Sequence, residues 1–276
     1  MTPSSLRTEL QDLLSPISKY KLRSHETSLT SHIPLLQSCT TPPAIILLGD
    51  STLERFITTG NSPNYTEPWP SPTLLPTLPP HSNRLPRVLN CGVGGDKIQN
   101  VAYRLLGDPS RDLPSLLAEV VSQQKIVKSQ VWVIHAGTNN LTPKNGLSDK
   151  DVDALEVMLR VLLRIRGTRV ILSGIMYRKD VEDQKVDEAN EKLVLVVRRL
   201  QNDEEKSEGR ISWLGPPEGG LVKKEEHLVD HVHLNLEGYR IWVGEILFPD
   251  IVRVLSEVEE GSSGSHFVEE NVELEG

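Results

Sequence analysis

Residues 44–51 read Ala-Ile-Ile-Leu-Leu-Gly-Asp-Ser and follow the pair Pro42-Pro43. The run Ala44–Leu48 is short, continuous and apolar. A strand of a parallel sheet has this pattern, because helices cover both of its faces. Four more such runs follow at Arg87–Cys91, Val131–His135, Arg169–Ser173 and Ile211–Leu214. Between them the spacing turns helical. Lys97–Leu106, Leu113–Lys128 and the charged, amphipathic Asp183–Gln201 read as helices. So does Asp151–Arg166, with apolar residues at 152, 155, 158, 159, 162 and 163, Ser148 as its N-cap and Gly167 as its stop. A last helix spans Gly238–Val258, bent or broken at Pro249. Five strands alternating with helices predict a three-layer α/β/α sandwich on a five-stranded parallel sheet.

Outside this alternation the composition changes. Residues 1–40 form an N-terminal extension, Ser/Thr-rich and partly helical, with Ser5–Leu14 as a short amphipathic helix. The domain is expected over 41–255. Within it, residues 61–86 hold eight prolines, a density that no regular helix or central strand survives, and read as a long surface loop. Residues 256–276 carry seven glutamates and no Lys or Arg, and read as an acidic disordered tail. That tail accounts for seven of the eight net negative charges of the 276-residue chain, so residues 1–255 are nearly neutral. With no basic excess and only 4% aromatic residues, nucleic-acid binding is disfavoured. Two cysteines, Cys39 and Cys91, make no disulfide framework and fit a reducing compartment. No apolar run approaches the ~20 residues of a transmembrane helix, and Met1–Leu14 has no continuous apolar segment, so a cytoplasmic protein is expected.

In open α/β sheets ligands bind beyond the carboxyl ends of the strands. The segments found there are Gly49-Asp50-Ser51, Gly92-Val93-Gly94-Gly95-Asp96, Gly137-Thr138-Asn139-Asn140 and, after strand five and a loop, Asp230-His231-Val232-His233. Together they supply a hydroxyl nucleophile, an imidazole, a carboxylate and hydrogen-bond donors. Ser51 needs a base to take its proton, and His233 can be that base, with His231 offering a second imidazole. Asp230, three residues earlier, can fix the His233 tautomer and favour its imidazolium. The Ser51 and Gly95 N–H groups and the Asn139 side-chain amide are candidate oxyanion donors. Asp50 and Asn140 read as supporting residues behind them.

These four segments, in this order over roughly 185 residues, resemble the four blocks of the SGNH, or GDSL-type, hydrolase family. Within it the likeness is greatest to the catalytic subunits of intracellular platelet-activating-factor acetylhydrolase, in Asn90–Asp96, Gly137–Asn140 and His233-Leu234-Asn235-x-x-Gly238-Tyr239. The resemblance implies a flavodoxin-like fold and a carboxylic ester hydrolase for short-acyl, acetyl above all, esters. It implies an acyl-enzyme on Ser51, with the family spacing Asp230-x-x-His233 selecting His233 over His231 as the base, and neither metal nor organic cofactor. The expected partners are a small-molecule, lipid or sugar ester and a second copy of the chain in a homodimer. The Pro-rich stretch 61–86 and the acidic tail depart from the family pattern, so lipid specificity does not transfer. Rival readings are weaker. His227, His231 and His233 with Asp230 offer metal ligands, but at no zincin spacing. Gly92-x-Gly94 begins a dinucleotide fingerprint whose third glycine would fall on Lys97. A silent binding protein on the same fold is the other alternative.

Overall fold

A computed structural model describes residues 11–40, 42–55, 88–123, 130–202, 209–217 and 221–263. Its strands are β1 Ile45–Gly49, β2 Val88–Gly92, β3 Gln130–His135, β4 Thr168–Ser173 and β5 Ile211–Leu214. All pair in parallel in the order β2-β1-β3-β4-β5. This is the flavodoxin-like order, whose switch point lies between β1 and β3. The register aligns Gly49 with both Gly92 and His135. Three strands therefore end level, and the residues just past them become neighbours.

Alternation along each strand builds the two outer layers. Ile46, Leu48, Trp132, Ile134, Val170 and Leu172 point into one core, while Ile45, Leu47, Val131, Val133 and Ile171 point into the other. On the first face lie α1 Leu22–Thr27, a π turn Ser28–His32 and α2 Ile33–Gln37. They are joined there by α4 Ile98–Leu106, α5 Leu116–Gln123, α6 Asp149–Leu163 and α7 Asp183–Asn202. Short α3 Ser51–Glu54 follows β1. On the second face, after α8 Lys224–His227, lie α9 Leu236–Ile241, a π turn Trp242–Leu247 and α10 Phe248–Ser263. Each fully buried Leu, Ile or Val contributes roughly 1.5–3 kcal/mol. An all-apolar strand such as β1 is stable only under both layers.

Several helix boundaries differ from the sequence expectation for local reasons. Helix α5 starts at Leu116, because Leu113 pairs with Asp108 and Ser115 accepts the Ala118 N–H at 3.1 Å. Ser148 caps α6, accepting the Asp151 N–H, and the helix ends at Leu163. The last helix opens at Leu236, capped by the Asn235 side chain, and widens into a π turn before Pro249, whose ring cannot accept a regular turn behind it. Helix α10 runs to Ser263, into the stretch expected as a disordered tail. Ile251 and Val254 bury against the sheet and Arg253 links Asp250 to Glu257, which carries the helix onward. The Pro-rich stretch 61–86, most of the Ser5–Leu14 helix and residues 264–276 lie outside the described residues.

The N-terminal residues pack into the same core as the sheet. Leu14, Ile33 and Leu36 are buried against it. Among the described residues no helix is long and apolar enough to cross a membrane.

Candidate active site

Ser51 is the first residue of α3, two residues beyond the end of β1. Getting it there needs glycine at 49: a Cβ on that residue would stand 2.0 Å from the His135 carbonyl oxygen of β3. Buried Asp50 is the N-cap of α3, extended in backbone, with Oδ1 accepting the Thr52 N–H at 2.9 Å.

From the far end of the chain the loop before α9 brings His233. Its Nε2 lies 2.9 Å from Ser51 Oγ and its Nδ1 lies 2.7 Å from Asp230 Oδ2. The other carboxylate oxygen of Asp230 accepts the Val232 and His233 N–H groups at 2.9 and 2.8 Å. With Nδ1–H donating to the carboxylate, Nε2 presents its lone pair to the serine hydroxyl. Burial raises the Asp230 carboxyl, but hydrogen bonds from the His233 ring and the His233 and Val232 backbone outweigh it and bring it down to about 2. Asp230 is therefore charged at neutral pH. Burial lowers the His233 imidazole and prevails over the pull of Asp230, with the Arg55 charge acting in the same direction as burial. The ring is thus neutral, and a base, at pH 7.

Gly95 sits in the turn after β2 with φ +72, a left-handed conformation that suits glycine. Among the described residues neither its N–H nor that of Ser51 meets a protein acceptor. Asn139 follows β3, and its Nδ2 donates one hydrogen to the Asp96 carbonyl at 2.9 Å, leaving a second. Asn140 faces elsewhere: it receives the Ile98 N–H and donates to Gln99 and Asp151, tying α4 to α6. The three histidine rings of the metal alternative diverge. His227 accepts the Lys223 N–H, exposed His231 faces Asp180 at 4.0 Å, and His233 faces Ser51 and Asp230.

Further residues complete the site without any motif announcing them. Arg104, wholly buried, donates to Asp96 at 2.8 Å, to the Cys91 carbonyl at 2.6 Å and to the Gly49 carbonyl at 2.9 Å. It thereby ties together the ends of β1 and β2. Arg178 grips Asp180 with two nitrogens and donates to the Thr138 carbonyl at 2.6 Å, holding the Asn139 loop. The one sequence signal for Arg104 is its place among the buried residues of α4, where an unpaired cation would be costly.

A serine, imidazole and carboxylate in hydrogen-bonding line, beside the Ser51 and Gly95 N–H groups on a flavodoxin-like sheet, agree with the comparison by sequence. Residues 47–241 match the GDSL-like lipase/acylhydrolase family. The chain belongs to that family. This GDSL-type protein is a carboxylic ester hydrolase. No curated protein matches its sequence. Its fold is similar to that of a GDSL-like lipase from Bacteroides thetaiotaomicron, with 16% identity, a TM-score of 0.51, and 80% of this chain and 96% of that one covered. It is also similar to a candidate acylhydrolase from Bacteroides fragilis, with 16% identity, a TM-score of 0.53 and coverage of 86% and 100%. A carbohydrate esterase family 3 structure from Talaromyces cellulolyticus aligns with a TM-score of 0.47 and 16% identity over 77% of this chain and 98% of that one.

Proposed function

We propose that the protein is a serine esterase that hydrolyses short-acyl esters, acetyl esters above all, through an acyl-enzyme. The observation that carries this reading is the line Ser51 Oγ–His233 Nε2 and His233 Nδ1–Asp230 at 2.9 and 2.7 Å. As Ser51 Oγ bonds to the ester carbonyl carbon, its proton passes to His233 Nε2. The imidazolium that forms is stabilised by the charged Asp230. The oxyanion takes hydrogen bonds from the Ser51 and Gly95 N–H groups and the second Nδ2 hydrogen of Asn139. His233 then gives its proton to the leaving alcohol oxygen as the C–O bond breaks. Water, deprotonated by His233, attacks the acyl-Ser51 carbonyl. Collapse returns the proton to Ser51 and releases the acid.

Charged side chains crowd this end of the sheet. Arg23 pairs with Glu54, and Arg55 lies 3.9 Å from Asp230. A long alkyl chain gains about 0.8 kcal/mol per CH₂ only where it buries against apolar surface, so these neighbours favour a small acyl group. Free Cys39 and Cys91 are consistent with a cytoplasmic setting.

The test is turnover of p-nitrophenyl acetate by the purified protein against Ser51→Ala. We expect the variant to lose at least about 1,000-fold in kcat. Equal rates would refute the reading. Failure of a fluorophosphonate to label Ser51 in the folded protein would favour a binding protein instead. A panel of acetylated sugars, phospholipids and short-chain esters then identifies the alcohol side.

A further inference from the structure

Residues 18–25 precede the 47–241 span that matches the family, yet they lie against the glycine loop. The Lys19 N–H donates to the Gln99 carbonyl at 2.9 Å, and Asn100 Nδ2 returns a bond to the Lys19 carbonyl at 2.9 Å. Ser24 Oγ donates to Asp96 Oδ1, and Arg23 Nη2 meets both carboxylate oxygens of Glu54 at 2.9 Å. Anchored on both sides, Lys21 stands at the N-cap position of α1 with an extended backbone, its side chain making no cap bond to the helix. Its Nζ donates to the Gly94 carbonyl at 2.8 Å and pairs with Asp96 Oδ1 at 3.2 Å.

The Gly94 carbonyl and the Gly95 N–H belong to one peptide group. That group is planar and trans, so its C=O and N–H point in opposite directions, and whatever holds the oxygen also aims the N–H. A cation on the oxygen draws electron density toward it and makes the N–H a stronger donor. The Asp96 carbonyl, two peptides further on, is the acceptor that holds Asn139 Nδ2. We propose that Lys21 is a positioning residue of the oxyanion site: its ammonium on the Gly94 carbonyl orients and polarises the Gly95 N–H, and its grip on Asp96 steadies the loop that holds Asn139. This inference rests on the esterase reading.

Neutralising the Asp96 carboxylate is a lesser part of its work. Arg104 pairs with Asp96 at 2.8 Å with both side chains fully buried, whereas the Lys21 side chain is 30% exposed and its pair is longer. Buried Asp96 keeps Arg104 and Ser24 when the partly exposed Lys21 is lost, so that loss should alter the rate more than the fold.

The test measures Lys21→Met against wild type on p-nitrophenyl acetate and on its thiono analogue, in which sulfur replaces the carbonyl oxygen. Sulfur accepts hydrogen bonds poorly, so a defect in the oxyanion donors penalises the oxoester and spares the thionoester. The expected result is an oxoester kcat lower by about tenfold, less than the cost of deleting a donor outright. KM and the thionoester kcat should stay within about twofold, and Lys21→Arg, a cationic donor still, should recover most of the loss. If Lys21→Met does not fold, the same ratio is read on Lys21→Gln. An equal fall on both esters, or a wild-type ratio in a folded variant, overturns the inference. Ser51-dependent turnover by the wild type keeps the esterase reading standing in either case. Absence of that turnover removes the esterase reading and this inference with it.

Discussion

Replacing Arg104 with methionine should loosen the whole catalytic end of the sheet. Methionine fills much of the same volume but donates no hydrogen bond. Three bonds vanish: to Asp96, to the Cys91 carbonyl and to the Gly49 carbonyl. Removing one partner of a buried ion pair costs about 3–5 kcal/mol. Two features set the value at the lower end. The Gly49 carbonyl keeps the Val93 N–H at 3.0 Å, and Asp96 keeps Ser24 and Lys21. We therefore expect a loss of about 3 kcal/mol, with the uncovered carboxylate as the main term. For a domain of this size that lowers Tm by about 6–12 °C. Thermal and urea unfolding followed by circular dichroism would measure it. Asp96→Asn placed in the Arg104→Met background should be milder than the sum of the two single changes by about 2 kcal/mol, since the charge left uncovered is gone. A Tm shift under about 2 °C, or strict additivity of the two changes, would refute the assignment of Arg104 as partner to a buried charge.

Two further outcomes concern pH. Because the His233 imidazole is lowered, chiefly by burial, the acid limb of kcat/KM for ester hydrolysis should fall below the ordinary imidazole value of 6.5. The Arg55 charge opposes the imidazolium, so Arg55→Met should move that limb to higher pH; a downward move in the pH–rate profile would contradict the electrostatics. His32 is lowered from 6.5 to about 3 by burial and then by Arg104. The folded state thus binds fewer protons than the unfolded chain, and stability held above pH 6.5 declines as the pH falls toward 3, by up to about 1.4 kcal/mol per unit. Buried His135 is lowered as well and adds to the same decline. His32→Leu should flatten the slope in urea titrations between pH 7 and 5, and an unchanged slope would refute the role.

Much of the fold was legible because its strands are buried on both faces. Ala44–Leu48 and Val131–His135 show as unbroken apolar runs, and α6 shows its core stripe at helical spacing with Ser148 as its cap. The π turn before Pro249 is a different matter, since it reflects how Tyr239 of α9, Trp242 and Leu247 of the turn itself and Ile251 of α10 all bury in the second core. Residues 22–37 carry no period strong enough to stand out among their serines and threonines; the helices there are held by burial of Ile33 and Leu36. In the candidate site, Ser51, Asp230 and His233, which the fold brings into hydrogen-bonding line, and the candidate donors Gly95 and Asn139 could be picked out because each sits in a short block just past a strand or before a helix. Arg104 and Lys21 were not, because each acts on a backbone carbonyl, and a carbonyl leaves no mark on the residue type that bears it; Arg178 was legible only as a residue following strand four, not as the holder of the Thr138 carbonyl.

The amino-acid order alone determined the number of strands, their alternation with helices and the residue types at their ends, since burial and period act over a few neighbouring residues. Which of those ends meet was decided only in three dimensions. His233 reaches Ser51 across 182 positions because the sheet order sets β1 beside β3 and the loop before α9 folds back over them. Lys21 reaches Gly94 across 73 because Lys19 and Ser24 fasten its segment to α4 and Asp96. Contacts at such separations depend on loop closure and packing, and no local pattern encodes them.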